Sequence, residues 1–491
     1  MHILSVNHNE LDFKTIEEEI YKTVCKVACG IMKDILEKID LMLLAKRDTE
    51  KYRNKGFRRT CIHTIMGEVE YERRIYQTED NDGKSMHVYL LDQYLKKETI
   101  GHVSSNLAEK IVENVLEQSY RKSAKNIESM CHSSLSHTAV WNVVQELGER
   151  LEERETRLID QYNKGNVNGK REVDVLFQEA DGVWINMQGL DRPKSGKSKK
   201  KEMKMAKFYE GWEKRGNQKN AYLTHNRTII ASFDNARDFK KLSDATIAEN
   251  YNVDEIKYRI INGDGDPWIK RGIGEEGVHY QLDPFHRARA VVRAVPKKAQ
   301  VKKLNNMFDK GKIDEAMEYL KELMIEYVED EKVRERLHKL YNYLANNYNG
   351  LIPYRLRNIS LPKPPEGVVY RNMGTMESSV CDVIKLRMKG RKMSWTKSGA
   401  NSLGKLLALR ASGNLYETLD SLFDDTITDD KLVEVVEQVV QLSAAEVNKK
   451  PKDSGIYPIK KAPMPFEGQP MTFGRKAIRD LTKNRVELIL R

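Results

Sequence analysis

The feature that most constrains this fold is an alternation of β-type and helical patterns between residues 173 and 283. Strands are predicted at 173–189, within 194–212, and at 227–234, 258–264 and 278–283. A helical pattern at 238–250 separates two of these strands. Strands that alternate with helices predict a mixed α/β sheet. In the first segment, Asp181-Gly182 has the composition of a tight turn and predicts two strands rather than one.

Acidic residues stand where these strands end. Asp181 lies at the edge of one strand, and Asp264 follows an apolar run in the sequence NGDGDPW. A third acid, Glu377, lies near the start of an amphipathic helix predicted over 374–395. Ligands of open α/β sheets gather at strand ends, so acids far apart in the sequence can meet there.

Carboxylates that meet in one place repel each other unless a cation neutralises them. Mg²⁺ suits such a cluster because it takes hard oxygen ligands and keeps some of its waters. Two such ions, with Mn²⁺ able to substitute, can activate a water or a 3′-hydroxyl and stabilise the leaving oxygen of a phosphodiester. We therefore predict that Asp181, Asp264 and Glu377 form a two-metal site.

Simpler interpretations of the same acids remain open. Asp favours turns, so any of the three acids can equally be a turn former or a helix N-cap. Gly263 and Gly265 allow a close approach of backbone or ligand, but they also suit a plain turn. Glu179 and Asp266 each lie two residues from a predicted ligand, on the same strand face, where they could substitute for it.

The charge of the chain favours a polyanionic partner. Lys and Arg number 84 against 73 Asp and Glu, a formal net charge of +11. Phosphate contacts made by such an excess release counterions and strengthen binding to nucleic acid, although many basic proteins bind none. At 40% hydrophobic and 32% charged residues, the composition excludes wholesale disorder and is typical of a helix-rich globular protein.

Cysteine usage and hydropathy predict a cytoplasmic protein with no membrane partner. The five cysteines are scattered, which argues against a disulfide framework. Cys25 and Cys29 could form half of a metal site, but no second close pair completes four ligands. No signal segment opens the chain, and no run of 18 apolar residues occurs.

The N-terminal region predicts elements that bind DNA. Residues 16–45 form a long amphipathic helix for packing or dimerisation, and 57–77 alternate as a cation-rich β-hairpin. From Ser119, a short helix, a turn and a second helix capped by Ser136 fit a helix-turn-helix, although an ordinary helical hairpin fits too. The side chains available to bases would be His137, Thr138 and Asn142.

Further side chains near the acids are candidates for DNA contacts. Trp268 could stack on an unpaired base or simply pack the following helix against the sheet. The basic residues after Glu377 could line a phosphate path, although a basic helix face is usually just solvated. The candidates in this group are Arg387, Lys389 and Arg391.

Seven motifs follow one another over nearly the whole chain. They are GEVEYERR at 67–74, DG at 181, YEGW at 209–212, NGDGDPWI at 262–269, QLDPFHRAR at 281–289, GTMESS at 374–379 and RMKGRKMSWTKSGA at 387–400. In this order they resemble the signatures of bacterial insertion-sequence transposases of the ISLre type, which are relatives of the Mutator-like group. The resemblance implies a DDE transposase with an RNase H-like core, whose three acids are Asp181, Asp264 and Glu377.

The resemblance also implies a helical insertion between the second and third acids, where 288–349 independently read as helical. The Asp283-x-x-His286 pair is similar to the acid or cysteine followed by histidine that Mutator-like cores carry after the second acid. His286 would then position DNA or protonate a leaving oxygen, and a histidine that only caps the strand fits as well. Asp266 departs from the family pattern, which has a small residue there, and its charge would perturb metal affinity.

We therefore predict a multidomain α/β plus α protein with an RNase H-like mixed-sheet core. Its predicted parts are a DNA-binding region with a helix, a β-hairpin and a helix-turn-helix at 1–165, the first part of the core at 170–295, an all-α insertion at 296–370, the last core helix at 371–412, and a helical region with a basic tail at 413–491.

The predicted function is cleavage at transposon ends followed by strand transfer into target DNA. Work at two terminal inverted repeats of double-stranded DNA implies a homodimer or higher oligomer, associated with the nucleoid. Two alternatives remain open: a structure-specific nuclease of the same core class would cut without joining, and a catalytically dead regulator would bind without cutting.

Overall fold

The computed structural model describes residues 12–80, 83–95, 99–193, 199–216, 221–270, 274–423, 472 and 475–476. Most of the C-terminal region predicted at 413–491 lies outside the described residues. Residues 194–198 and the side chain of Arg391 also lie outside them. The fold is α/β with mixed sheets, and the described residues form two compact units. No described helix has the length and apolar character needed to cross a membrane.

The first unit comprises the described residues up to Leu95, apart from His63–Ile65. Its elements are α1 (Phe13–Lys46), β1 (Arg53–Thr64), β2 (Gly67–Glu79), β3 (Ser85–Val88) and α2 (Leu90–Leu95). Strand β2 lies between β1 and β3. Leu36 and Ile39 of α1 pack with Val69 and Tyr71 of β2 in one apolar cluster. The long helix and the hairpin predicted from the sequence are therefore confirmed.

The second unit comprises His63–Ile65 and the described residues from Thr99 to Phe423. Its first elements are β4 (Thr99–Ile100), β5 (Val103–Ser104), α3 (Ser105–Glu117), α4 (Tyr120–Cys131), α5 (His137–Asn163), β6 (Val175–Asn186), β7 (Lys200–Tyr209), β8 (Trp212–Lys214), β9 (Tyr222–Thr224), β10 (Thr228–Ser232), α6 (Ala236–Asn250), β11 (Tyr258–Gly263) and β12 (Val278–Leu282). They are followed by α7 (Pro284–Ala294), α8 (Lys298–Asp309), α9 (Ile313–Glu326), α10 (Glu331–Ala345), β13 (Val368–Val369), α11 (Met376–Val380), α12 (Leu386–Met388), α13 (Lys397–Ser412) and α14 (Leu415–Phe423).

A five-stranded mixed sheet forms the centre of the second unit, as predicted. Its strand order is β10-β7-β6-β11-β12. Strand β7 is antiparallel to both of its neighbours, β10 and β6, whereas β6, β11 and β12 run parallel to one another. Alternate residues point to opposite faces. Met203 and Met205 of β7 share a core with α13, and Ala206 and Phe208 pack towards α6.

The predicted turn at Asp181-Gly182 is wrong, because both residues lie inside the single strand β6. Gly182 does not have the positive φ that a tight hairpin turn of this composition requires. It pairs with Lys204 of β7, and a Cβ there would lie 2.1 Å from a carboxylate oxygen of Glu202. The glycine therefore makes room for a neighbouring side chain, and the chain reverses only after Asn186.

The helix-turn-helix pattern corresponds to α4 and α5, and Ser136 is the N-cap of α5 through a 3.0 Å bond from Ala139 N. The apolar side chains on one face of α5 are all buried: Val140, Val143, Val144 and Leu147. They share one hydrophobic core with α3, α13 and the central sheet. At Gly148, a Cβ would lie 2.1 Å from Ser402 Oγ, so this glycine lets α5 approach α13 closely.

The stretch predicted to be helical at 288–349 contains helices α7 to α10, as expected. These helices enclose a hydrophobic core of their own, centred on residues such as Leu304, Phe308, Leu320 and Leu337. The core continues into Leu282 at the end of β12. This bundle is therefore anchored beside the strand ends where the acids were predicted to meet.

Candidate active site

The carboxyl ends of β11 and β12 lie beside the middle of β6. Ala180 of β6 is the partner of Gly263 in β11, and Gly263 is the partner of Leu282 in β12. Because the three strands are parallel and in register, the next residues of the chain are brought to one edge of the sheet. Those residues are Asp181, Asp264 and Asp283.

A cleft of about 590 Å³ opens at this edge, and Asp181, Asp264, His286 and Glu377 all line it. Asp181, His286 and Glu377 each offer one ligand atom, and these atoms lie within 4.8 Å of one another. His286 Nε2 is 3.8 Å from Asp181 Oδ2. The four residues that were singled out as catalytic thus share one cleft, and three of them form a group compact enough to hold a metal ion.

Burial and neighbouring charges disfavour the ionised form of Asp264, which lines the cleft. Burial raises its pKa to about 6, and the charges of Asp266 and Asp181 act in the same direction. Asp266 N donates a 3.0 Å hydrogen bond to Asp264 Oδ1, and the Tyr343 hydroxyl donates to the Asp264 carbonyl at 2.7 Å. The turn and the helical bundle therefore hold this carboxyl in place although its charge is unfavourable there.

His286 lies on the first turn of α7, which Asp283 caps. Asp283 Oδ1 accepts hydrogen bonds from Phe285 N at 2.7 Å and from His286 N at 3.4 Å. Asp283, and not His286, therefore caps this helix. Burial alone would lower the pKa of the His286 imidazole, but hydrogen bonding and charge from Asp181 outweigh burial and raise the pKa. Asp181 therefore favours the protonated form of this ring.

Glu377 lies on α11 and forms an ion pair with Lys385, whose Nζ is 2.8 Å from Glu377 Oε1. The two residues are eight positions apart, and a π-helical segment at Cys381–Lys385 lies between α11 and α12. Such π-helical segments occur frequently at functional sites. Here the segment carries an ammonium group directly to the third acid, so this carboxylate has a counterion in the metal-free protein.

Five cations surround the acids in the same cleft: Lys200, Arg289, Arg293, Lys385 and Lys389. Arg289 and Arg293 are exposed on α7. A ring of cations around a small acidic group suits a phosphate backbone, because the cations hold the phosphates while the acids hold metal ions. Burial lowers the pKa of Lys389, which was predicted to contact DNA.

Comparison with known proteins places the chain in a family. The model of an uncharacterised protein family, UPF0236, matches residues 6–420. The chain belongs to this family. A UPF0236 protein of Caldanaerobacter subterraneus subsp. tengcongensis is 25% identical over 410 residues, which cover 82% of this chain and 79% of that protein. A UPF0236 protein in the vanSb 3′ region of Streptococcus gallolyticus is 24% identical over 409 residues, 82% of this chain and 83% of its own length.

The part of the chain that matches UPF0236 includes every residue of the cleft, and several of these residues were missed by sequence reasoning. Arg289 and Arg293 follow His286 by three and seven residues on α7. Residues at this spacing share one face of a helix, so the signal was present in the sequence once His286 was placed in the site. Trp184 was missed too; it lines the cleft and is 49% exposed.

Two of the predicted DNA contacts are corrected by the structure. Arg387 is only 6% exposed, and its guanidinium donates 2.7 Å hydrogen bonds to the carbonyls of Val115 and Gln118 at the end of α3. Trp268 packs edge-on against Phe239, with ring centroids 5.4 Å apart. Arg387 therefore closes a helix terminus, and Trp268 packs against the preceding helix α6 rather than the following helix that the alternative interpretation named.

Arg387→Met should destabilise the UPF0236 fold by about 2 kcal/mol, because two buried carbonyls lose a charged donor. Urea unfolding measures this loss. The matched control is Arg289→Met, which removes an exposed cleft arginine and should leave the free energy of unfolding unchanged while it weakens DNA binding. Equal stability of the Arg387 variant and the parent protein would contradict the structural role.

The residues predicted to reach bases, His137, Thr138 and Asn142, are all exposed at the start of α5. Their neighbours on the helix, Val140 and Val143, are buried. The exposed and buried sides of this helix are thus divided as a recognition helix requires. Contact with DNA remains a prediction for these three residues.

Proposed function

We propose that the chain is a DNA transposase that cleaves the ends of its element and joins them to target DNA. The observation that carries this proposal is the meeting of Asp181, Asp264, His286 and Glu377 in one cation-lined cleft. Acidic ligands inside a basic cleft are the combination that metal-dependent phosphodiester chemistry needs. The runner-up functions, a nuclease and a regulator, share the same binding surfaces.

The layout of the second unit supports an RNase H-like core. Asp181 lies inside β6, Asp264 directly follows the neighbouring parallel strand β11, the third acid lies on a late helix, and a helical bundle separates the second acid from the third. This is the arrangement that the resemblance to ISLre-type transposases implies. The proposal thus rests on both the sheet and the order of the acids along the chain.

The donor set of the cleft fits divalent cations. Asp181, Asp264 and Glu377 would hold Mg²⁺ or Mn²⁺ through their carboxylate oxygens. Bound ions would supply an activated water or 3′-hydroxyl and stabilise the leaving oxygen.

The chain's own residues would bind and orient the DNA. Arg289, Arg293 and Lys389 would hold phosphates at the walls of the cleft. His286 carries a proton readily because Asp181 raises its pKa, so it can donate that proton to a leaving oxygen. Trp184, exposed in the cleft, offers a face on which an unpaired base can stack.

The names of relatives also fit a mobile element. Two proteins of Caldanaerobacter subterraneus subsp. tengcongensis have names that join eleven and four designations, respectively. One protein under many designations in a single organism is what repeated transposition of its coding segment would leave. Because an element has two ends, we propose that two or more protomers assemble on the DNA.

The proposal is tested by incubating the purified protein with the labelled DNA that flanks its gene, a target plasmid, and Mg²⁺ or Mn²⁺. Nicked and joined products are scored separately, and joined product is expected. Hydrolysed ends without joining would support the nuclease instead. Specific binding without cleavage in either ion would support the regulator.

Asn142→Ala should lower affinity for the element's end by at least about fivefold, because an exposed Asn on a recognition helix can pair with an adenine edge. Affinity for unrelated DNA should not change. Fluorescence anisotropy with both DNAs measures the ratio. Asn163→Ala, at the other end of α5 and also exposed, is the matched control. An equal loss on both DNAs would argue against base recognition.

A further inference from the structure

A buried carboxylate, Glu179, lies two residues before Asp181 on the same face of β6. It is 0% exposed. Glu179 Oε2 accepts hydrogen bonds from the backbone N–H groups of Gly374 at 3.0 Å, Thr375 at 2.9 Å and Met376 at 3.2 Å. These three amides immediately precede Glu377, so the carboxylate holds the segment that presents the third acid.

Side chains complete the environment of Glu179. Its Oε1 accepts from Thr375 Oγ1 at 2.6 Å and from the Tyr209 hydroxyl at 2.8 Å. Asn262 Nδ2 donates to Oε2 at 3.1 Å. A carboxylate has about four lone-pair sites, and all of them are occupied by these donors. Glu179 therefore cannot take the place of Asp181 as a ligand without losing the contacts that hold Glu377.

A second buried residue joins the sheet to the same segment. Lys207 of β7 is buried, and its Nζ donates to Thr375 Oγ1 at 3.0 Å and to Ser379 Oγ at 3.2 Å. The Thr375 hydroxyl thus accepts a hydrogen bond from Lys207 and donates one to Glu179. The neighbouring strands β6 and β7 thus bind the start of α11, β6 through the carboxylate of Glu179 and β7 through the ammonium group of Lys207.

Asn262 connects this contact to the helix that carries His286. Its Nδ2 also donates to Asp283 Oδ2 at 2.7 Å, and Asp283 caps α7. Glu179, Asn262 and Asp283 come from the three parallel strands β6, β11 and β12, or directly follow them. One amide group therefore bridges the two carboxylates that hold the backbone near Glu377 and His286.

We propose that Glu179 is a positioning residue that fixes Glu377 opposite Asp181, and that Asn262 links this contact to the Asp283 cap beneath His286. The inference rests on the proposed function for its meaning, since it concerns the spacing of the proposed metal ligands. Groups that orient metal ligands typically contribute tenfold to a hundredfold to metal affinity or activity. Glu179 would act in this way although it touches neither metal nor DNA.

The test compares Glu179→Gln with Glu210→Gln in the full chain. Glu210 is also a buried carboxylate, 8% exposed, bonded to Arg171 at 3.2 Å and Asn226 at 3.0 Å, but it does not line the cleft. The Mg²⁺ or Mn²⁺ concentration that gives half-maximal cleavage should rise about tenfold or more in the Glu179 variant. It should stay at the wild-type value in the Glu210 variant, and neither variant should change DNA affinity without metal.

Hydrogen exchange separates this inference from the proposed function. The amides of residues 374–376 should exchange faster in Glu179→Gln and at the wild-type rate in Glu210→Gln, whether or not the protein cleaves DNA. Absence of cleavage by the wild-type protein would defeat the proposed function alone. Wild-type exchange together with a wild-type ion requirement in Glu179→Gln would overturn the positioning role.

A second variant keeps the test decisive if Glu179→Gln does not fold. Thr375→Val removes the hydroxyl that bonds both Glu179 and Lys207 and leaves both buried charges in place. It should raise the ion requirement in the same direction and speed exchange of the same amides. A wild-type ion requirement in this variant would likewise count against the proposal.

Discussion

Asp181→Asn is expected to reduce divalent-ion-dependent cleavage of the element's ends by about a thousandfold or more. A metal-bound carboxylate contributes several kcal/mol to such chemistry, and each 1.36 kcal/mol is a factor of ten in rate. The substitution keeps the shape of the side chain but removes the charge at the centre of the ligand group formed with His286 and Glu377. Single-turnover cleavage rates at saturating protein measure the loss.

DNA affinity without divalent ions should be unchanged in that variant, because the phosphates are held by the cations of the cleft. Asp244→Asn is the matched control: Asp244 belongs to the same unit and accepts a 3.1 Å bond from Arg259, but it does not line the cleft. It should cleave at the wild-type rate. Normal cleavage by the Asp181 variant would remove this residue from the site.

Asp264→Asn is expected to stabilise the metal-free protein above pH 6. Burial and neighbouring carboxylates raise the pKa of Asp264 from 3.8 to about 6, so the folded state holds this proton more tightly than the unfolded state. Folding stability therefore falls as pH rises from about 4 to about 6, and the cost is complete above that range. Two pKa units set an upper bound of about 2.7 kcal/mol, and partial solvent access reduces it to about 1 to 2 kcal/mol.

Urea unfolding followed by tryptophan fluorescence, at pH 4 and pH 7.5 in the presence of a chelator, measures this effect. The variant should exceed the parent by more at pH 7.5 than at pH 4, where the folded-state carboxyl is protonated and the unfolded-state carboxyl is only partly ionised. Mg²⁺ should raise the melting temperature of the parent more than that of the variant, because only the parent keeps the carboxylate that the ion needs. A variant no more stable than the parent at pH 7.5 would contradict the free-energy cost assigned to the ionised carboxylate of Asp264.

Much of the fold was predictable because its signals are local. The apolar runs at 258–264 and 278–283 are strands with acids directly after them, and register between parallel strands then brings those acids together. Ser136 was recognisable as an N-cap from its place before an apolar periodicity. The helices of 288–349 followed from the same periodicity. These inferences needed only neighbours along the chain.

The errors concern residues whose role is decided by distant partners. Asp181-Gly182 resembles a turn, yet both residues lie within a strand, where Gly182 leaves room for the Glu202 side chain of the next strand. Arg387 lies among exposed basic residues in the sequence, but the carbonyls that bind it are about 270 positions away. The role of Glu179 depends on amides about 195 positions later. Contacts between residues so far apart in the chain cannot be recognised from a local sequence pattern.

Because α5 and the central sheet share one hydrophobic core, the spacing between the DNA sequence that α5 recognises and the bond that is cut would be fixed. The exposed start of α5 and the cleft belong to one compact unit, and Gly148 lets α5 pack closely on Ser402 of α13. The distance between the sequence read by α5 and the bond that is cut would then be set by the width of the protein itself. Extra base pairs inserted between the two would shift the cut to a new phosphodiester at the original spacing from the recognised bases.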